Sequence, residues 1–211
     1  MFDYSLVHWA TFCVAAALLN LSPGPDMAFI LGSALRGGRR AGFSALYGVW
    51  SGTFVHVAAA AAGLSAILST SATAFSLIKW IGAAYLVWLG LQALRSRGAK
   101  ASVARHGLPT KPSRLYVQGV LVSALNPKVA LFFLAFLPQF VVAGAGPLWA
   151  QLLLHGTLVI AVAALIEPPL ILLSEKVARA SWVDSKIGQW ADRCLGVFFI
   201  SLGVRLAIGA R

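Results

Sequence analysis

The sequence predicts an all-α integral membrane protein of six transmembrane helices, arranged as an inverted 3+3 repeat with spans 1 and 4 broken at proline motifs. Three observations predict it. Of 211 residues, 59% are apolar and 11% charged, against about 45–50% and about 25% in soluble globular domains. The apolar residues gather into six long runs, near the ~20 residues that a helix needs to cross the hydrocarbon core. Each half of the chain also carries one proline-interrupted apolar run holding a charge, at matching positions.

The runs cover residues 6–35, 43–68, 75–94, 115–142, 148–173 and 187–208. Backbone groups in lipid must be satisfied within the protein, so runs this long without alternation read as helices and not as barrel strands. The sixth is the weakest, because Asp192 and Arg193 interrupt its start; a short, tilted or partly interfacial segment fits it. The chain opens MFDYS, without a basic leader or a small-residue cleavage site, so the first run is expected to be a mature span and not a removable signal peptide. Gly48-x-x-x-Gly52 and Ala58 to Ala62 suit close helix packing. Trp80 and Trp190 lie toward span ends, where aromatic belts form, and Trp88 lies deeper. Cys13 and Cys194 have neither C-x-x-C spacing nor a histidine cluster and are expected to be core filler.

Charge gives the orientation. The formal net charge of +11 would suggest nucleic-acid binding in a soluble chain, but the basic residues occupy short links between spans, so no nucleic-acid partner is expected. Thirteen of the seventeen Lys and Arg fall in the first, third and fifth links; Lys79, Arg205 and Arg211 fall on the other side, and Lys128 on neither. By the positive-inside rule the thirteen face the cytoplasm of a bacterial-type inner membrane, and both termini face out. The basic link 95–114 divides a single domain, 1–211, into repeat 1 at about 1–94 and repeat 2 at about 115–211. With three spans in each half, the second half enters the membrane upside down relative to the first.

The interruptions carry the chemistry. GPDMAFI (24–30) laid over NPKVALF (126–132) at an offset of 102 matches Pro25 with Pro127, Asp26 with Lys128 and Ala28 with Ala130. Later in the halves, Lys79-x-x-Gly82 matches Arg193-x-x-Gly196. Pro23 and Pro25 remove backbone donors and free carbonyls near Leu19 and Leu21, while Gly24 lowers the cost of an irregular backbone. A half-helix restarting near Asp26, and another after Asn126-Pro127, would present N–H groups and a positive dipole end to a carboxylate; the freed carbonyls would suit an ammonium group or a proton. A zwitterion, and so an amino acid, is the natural ligand.

Asp26 lies ten residues from Arg36 and Lys128 fourteen from Arg114, depths of about 15 and about 21 Å at a helical rise. A charge that deep must face the interior and find a partner, and the two are each other's obvious partner. Two readings stay open, a pair that closes an empty site and opens to substrate or a proton, or a fixed interhelical clamp. Glu167, ahead of Pro168 and Pro169, suits proton coupling or gating, or equally a helix-end charge snorkelling to the interface. His56, near the middle of span 2, could relay protons or sit as a neutral, hydrogen-bonded interior ring.

SPGPDMAFILGSALRGGRRAG (22–42) and LNPKVALFFLAFLPQFV (125–141) strongly resemble the two hallmark segments of the LysE/RhtB amino-acid exporter family, and chain length, six apolar runs and a basic middle loop match over essentially the whole chain. The resemblance implies an inner-membrane secondary transporter that exports amino acids or close derivatives by the proton motive force. It carries no cofactor and no metal. The family pattern falls on Pro23, Gly24, Pro25 and Asp26, and on Asn126, Pro127 and Lys128. A small amino-acid substrate and the lipid bilayer are the partners implied, with room for a homo-oligomer; which compound is moved is not implied. Other classes fit less well. Gly63-Leu64-Ser65 lacks an intramembrane base, which argues against an enzyme. A channel would want a ring of like charges. A non-transporting subunit of a membrane complex would not need midplane charges, and export of a small amine or inorganic cation is the alternative within transport.

Overall fold

The computed structural model describes residues 4–21, 24–70, 72–95, 111–174 and 186–208. These form seven α-helices: α1 (Leu6–Leu21), α2 (Pro25–Thr70), α3 (Ala72–Arg95), α4 (Pro112–Ala124), α5 (Pro127–Phe136), α6 (Leu148–Leu172) and α7 (Lys186–Ile208), with a 3-10 turn at Leu137–Phe140. There is no strand among the described residues. Pro25–Ile67 and Leu148–Leu172 are long and apolar enough to cross a membrane, and the pair Pro112–Ala124 and Pro127–Phe140, bent by 51°, passes the same test together.

The first link differs from the sequence expectation. Instead of a loop between residues 35 and 43, helix continues on both sides of Gly38, which alone takes a non-helical conformation at φ 72° and ψ −176°. Only glycine adopts that backbone cheaply. A straight helix of 43 residues would run about 65 Å, twice the hydrocarbon core. The chain instead folds back on itself: a Cβ on Gly42 would lie 2.7 Å from the Cβ of Ala34, and Ile30 and Ala34 of the first limb pack with Leu46 and Val49 of the second. One residue thus makes α2 a helical hairpin with limbs 25–37 and 39–70.

Small residues set the distances between helices. A Cβ on Gly52 would lie 2.5 Å from the Val120 carbonyl oxygen, and one on Gly119 2.5 Å from that of Ala45; Gly48 sits against the backbone of Tyr116. The second limb of α2 and α4 therefore touch backbone to backbone, and Ser44 Oγ bonds the Pro112 carbonyl at their shared start. Across the bundle, α3 and α7 meet reciprocally, Gly90 against the Gly196 carbonyl and Gly196 against that of Gly90. Between these contacts Phe12, Phe132, Phe133, Phe136 and Phe199 fill the main core.

The outer surface is apolar too. Val7, Val117, Leu121 and Leu165 are more than half exposed, as are Trp80 and Trp88, as expected where the solvent is lipid. Cys13 and Cys194 are free and exposed, which corrects their expected place in the core: with apolar solvent outside, an apolar side chain carries no signal of facing inward. The side chain of Trp190 lies outside the described residues.

The glycine contacts predict opposite outcomes for one kind of substitution. Gly63→Ala, where an added Cβ meets nothing within 4 Å, is expected to stabilise the helix by about 0.5–1 kcal/mol. Gly119→Ala pushes a methyl into the Ala45 carbonyl and is expected to destabilise by about 1–3 kcal/mol. Thermal unfolding of the two purified variants in one detergent checks the signs; equal shifts would refute backbone contact as the determinant.

Candidate functional site

The two interrupted helices begin side by side. Pro25 opens α2 and Pro127 opens α5, each at the first helical position, where a missing N–H costs nothing and the fixed φ suits the helix. Gly24 precedes Pro25, and its carbonyl accepts from the Ala28 N–H at 2.9 Å. Asn126 caps α5: its Oδ1 accepts from the Lys128 N–H at 3.0 Å, and its backbone carbonyl accepts from Val129 and Ala130. The same side chain reaches across, and Nδ2 donates to Asp26 Oδ1 at 2.8 Å. Ser123, from the last turn of α4, donates through Oγ to Asp26 Oδ2 at 3.2 Å. Both carboxylate oxygens of Asp26 are thus held by the other break.

The neighbourhood of that carboxylate is layered. Thr53 Oγ1 lies 2.9 Å from Ser123 Oγ, and His56 Nε2 donates to the Ser123 carbonyl at 2.9 Å. Lys128 and His56 both stand within electrostatic range of Asp26. Ser123 and Asn126 are 0% and 4% exposed, so their polar atoms depend on these partners.

A second carboxylate joins from α6. Glu167 is buried, and Trp50 Nε1 donates to its Oε2 at 2.6 Å. It does not snorkel. Asp26 and Glu167 are also within electrostatic range of one another. Both open into one cavity with about 600 Å³ of empty space, part of it open to solvent. The C-terminal end of α1 (Leu19, Asn20), the start and second limb of α2, α5 and α6 all line it.

The residues singled out from sequence fall as follows. Gly24, Asp26, Asn126, Lys128 and Glu167 line the cavity; Pro25 and Pro127 start the helices that bring them there. His56 stands behind the lining, its ring stacked 6.5 Å from Phe133. Pro23 lies outside the described residues. The direct hydrogen bonds of Asp26 run to Asn126 and Ser123, with Lys128 acting on it through space. The first turn of α5, expected to offer its N–H groups to a carboxylate, is capped by Asn126. The positive end of α5 is therefore felt through its dipole and the Lys128 ammonium, and α2 likewise begins with its positive dipole end beside Asp26.

Sequence reading missed Trp50, Thr53, Ser123 and Asn20. Asn20 Nδ2 donates to the Ala16 carbonyl at 2.8 Å and to that of Val159 at 3.3 Å, tying α1 to α6 at the cavity edge. Asn20, Thr53 and Ser123 shared one signal, a polar side chain inside an apolar run; Trp50 carried none.

Chemically, the site sets two carboxylates, one ammonium and the starts of two helices around one cavity. That suits a ligand carrying both signs of charge. Among the described residues no cluster of three or more His, Cys, Asp or Glu could hold a metal ion.

Comparison with known proteins supplies the lineage. A homoserine/homoserine lactone efflux protein of Salmonella typhi is 31% identical over 202 residues, covering 94% of this chain and 95% of that one. An uncharacterized membrane protein of Vibrio cholerae is 31% identical over 201 residues, covering 94% and 96%. A leucine efflux protein of Enterobacter is 27% identical over 205 residues, covering 97% of each. No solved structure matches. Residues 17–210 match the LysE type translocator family, and with apolar helices of membrane-crossing length on the same stretch, the chain is a multi-pass membrane protein belonging to that family.

Proposed function

We propose that this protein exports amino acids or close derivatives across the bacterial inner membrane, driven by the proton motive force, and that the cavity between the two helix breaks is its substrate site. The observation that carries the reading is the convergence of Asp26, Lys128 and Glu167, from three separate helices, on one cavity. A carboxylate substituent is met by Lys128 and the positive dipole end of α2, an α-ammonium by Asp26 and Glu167. The relatives named for homoserine, its lactone and leucine efflux move compounds sharing an α-amino group and a small side chain, which supports the assignment.

On this reading α1 with limb 25–37 forms the first span, limb 39–70 the second, α3 the third, α4 with α5 the fourth, α6 the fifth and α7 the sixth. The halves are inverted, the basic links face the cytoplasm and both termini face out, as the charge count indicates. The offset that matches Asp26 with Lys128 then becomes functional. Equivalent positions of two inverted repeats meet at the midplane with opposite charges, which places an ammonium-binding and a carboxylate-binding group on opposite sides of one site.

Coupling follows from charge balance. Two carboxylates facing one ammonium leave the site one negative charge in excess, which a bound proton removes and a zwitterionic substrate, with no net charge, does not. Protonation of one carboxylate withdraws a charged partner from the substrate ammonium, so proton and substrate binding oppose each other and the two flows are linked as an exchange. Glu167 suits the proton because, among the described residues, Trp50 bonds one of its oxygens, whereas both oxygens of Asp26 are engaged.

Export from amino-acid-loaded cells tests the assignment. Asp26→Asn and Lys128→Gln each remove a charge-assisted partner worth about 1.5–3 kcal/mol, so export of whichever amino acids the wild type releases is expected to fall about 10- to 100-fold at equal membrane abundance. If the wild type releases none in energised cells, the substrate class is wrong, and amines or inorganic cations are to be assayed next. In proteoliposomes, Glu167→Gln keeps an acceptor for Trp50 but cannot lose a proton. It is expected to slow substrate exchange, because a partner of the substrate ammonium loses its charge, and in addition to lose uphill transport driven by a pH gradient; retained uphill transport would remove Glu167 from the coupling step.

A further inference from the structure

Outside the cavity, a cluster of titratable side chains joins the first turns of α1 to the first turns of α6. His8 Nε2 and His155 Nε2 lie 2.9 Å apart. His155 Nδ1 is 2.8 Å from the Gln151 carbonyl, and since a carbonyl only accepts, that nitrogen carries a hydrogen. In the neutral state His155 Nε2 is then bare, and His8 Nε2–H donates to it. Gln151 is fully used: it accepts from the Val142 N–H and the Tyr4 hydroxyl, and donates to the carbonyls of Val142 and Gly146. His155 is therefore fixed in place, while His8 rides on α1.

The arrangement has a definite proton capacity. One added proton leaves the N–H···N bond intact, because either ring can carry it while the other offers a bare Nε2. A second proton puts an N–H on both facing nitrogens. The bond is lost and two positive rings are left in contact.

The surroundings make this matter. His155 is 1% exposed, and apolar rings close around the pair: Trp9 stacks on His155 at 5.4 Å, and Phe12 and Phe140 meet it edge-on or tilted at 4.9 and 6.0 Å. Among the described residues, Tyr4 is the other titratable group against the pair, stacked on His8 at 4.4 Å. Burial pushes its phenol up, so it stays neutral where histidines titrate. The 3-10 turn and α5 contribute Phe140 and Phe136 to this core, and α2 contributes Val57 and Leu64, none of them charged. His155 stands one helical turn before Val159, which lines the cavity and accepts from Asn20 of α1.

We propose that His8 and His155 form a proton-binding site distinct from the cavity carboxylates, a latch that holds α1 to α6 with no or one added proton and releases α1 on taking the second. Its ligand is the proton, supplied at the end of the bundle where α1 and α6 begin. The proposal does not rest on the export reading, because it concerns contact between two helices whatever passes between them.

Trp9 reports on the latch directly. Its emission is the difference between the wild-type chain and Trp9→Phe, both in lipid vesicles. An imidazolium quenches a stacked indole more than an imidazole does, and separation of the rings ends the quench. Taking the pH from about 8 to about 5 is therefore expected to quench Trp9 first and then to restore it with a red shift. His8→Gln is expected to leave one quenching step with no recovery, and His155→Gln to leave one weaker step from His8, whose ring meets Trp9 edge-on at 5.5 Å, also with no recovery. A flat Trp9 signal, or a single monotonic quench in the wild type, overturns the latch. So does an unchanged biphasic curve in His8→Gln, a readout that stands even where His155→Gln does not fold.

Discussion

The side chain of Asn126 joins what the sequence breaks. Interrupting a helix in an apolar solvent exposes backbone groups that nothing outside the protein can satisfy, so an intramembrane break survives only if its own neighbourhood supplies the partners. Asn126 does so for α5, accepting from Lys128 N–H, and with its remaining amide hydrogens it holds the Asp26 carboxylate at the start of α2. One residue caps one break and anchors the other. The cavity, the meeting of opposite charges and the approach of Ser123 all depend on that bridge.

The rest of the fold keeps the bridge in register. Contact of the second limb of α2 with α4 at glycine distances brings Thr53 and His56 to Ser123, and Ser123 to Asp26. The Gly38 reversal returns the chain so that Asp26 and Trp50, on opposite limbs of one helix, face the same cavity. A wider α2–α4 spacing would lengthen each of these hydrogen bonds together, so the small residues determine the site as much as its polar groups do.

The helical class was legible in the sequence because the composition is incompatible with a soluble core, and the broken positions because Pro, Gly and a charge are costly in an apolar run. Asp26, Asn126, Lys128 and Glu167 could be singled out on that ground alone, and they line one cavity. What stayed hidden were partners distant in the chain. Trp50 finds Glu167 across 117 residues and His8 finds His155 across 147, and tryptophans and histidines near span ends look like interfacial anchors until their neighbours are known. The capped start of α5 was also invisible: Asn-Pro reads as a helix start, but whether the asparagine satisfies its own helix or leaves the N–H groups to a ligand depends on its rotamer. The expected placement of Cys13 and Cys194 failed for a different reason, since hydrophobicity does not separate inside from outside when both are apolar.

The two ends of the bundle are closed by unlike chemistry. Limb 39–70 meets α4 through glycines and backbone carbonyls at Gly48, Gly52 and Gly119, with one histidine, His56, donating to the Ser123 carbonyl at the far end of the contact. The corresponding pair under the inverted-repeat reading, α6 and α1, meets through Tyr4, Gln151 and two histidines. On the proposed export reading, the two ends would then respond differently to the same proton, which a faithful repeat with identical ends could not do. Asymmetry at the helix breaks, Asp26 against Lys128, brings opposite charges to one cavity; asymmetry at the ends, close glycine contact against a pair of facing histidines, is what sets the proposed latch at one of them.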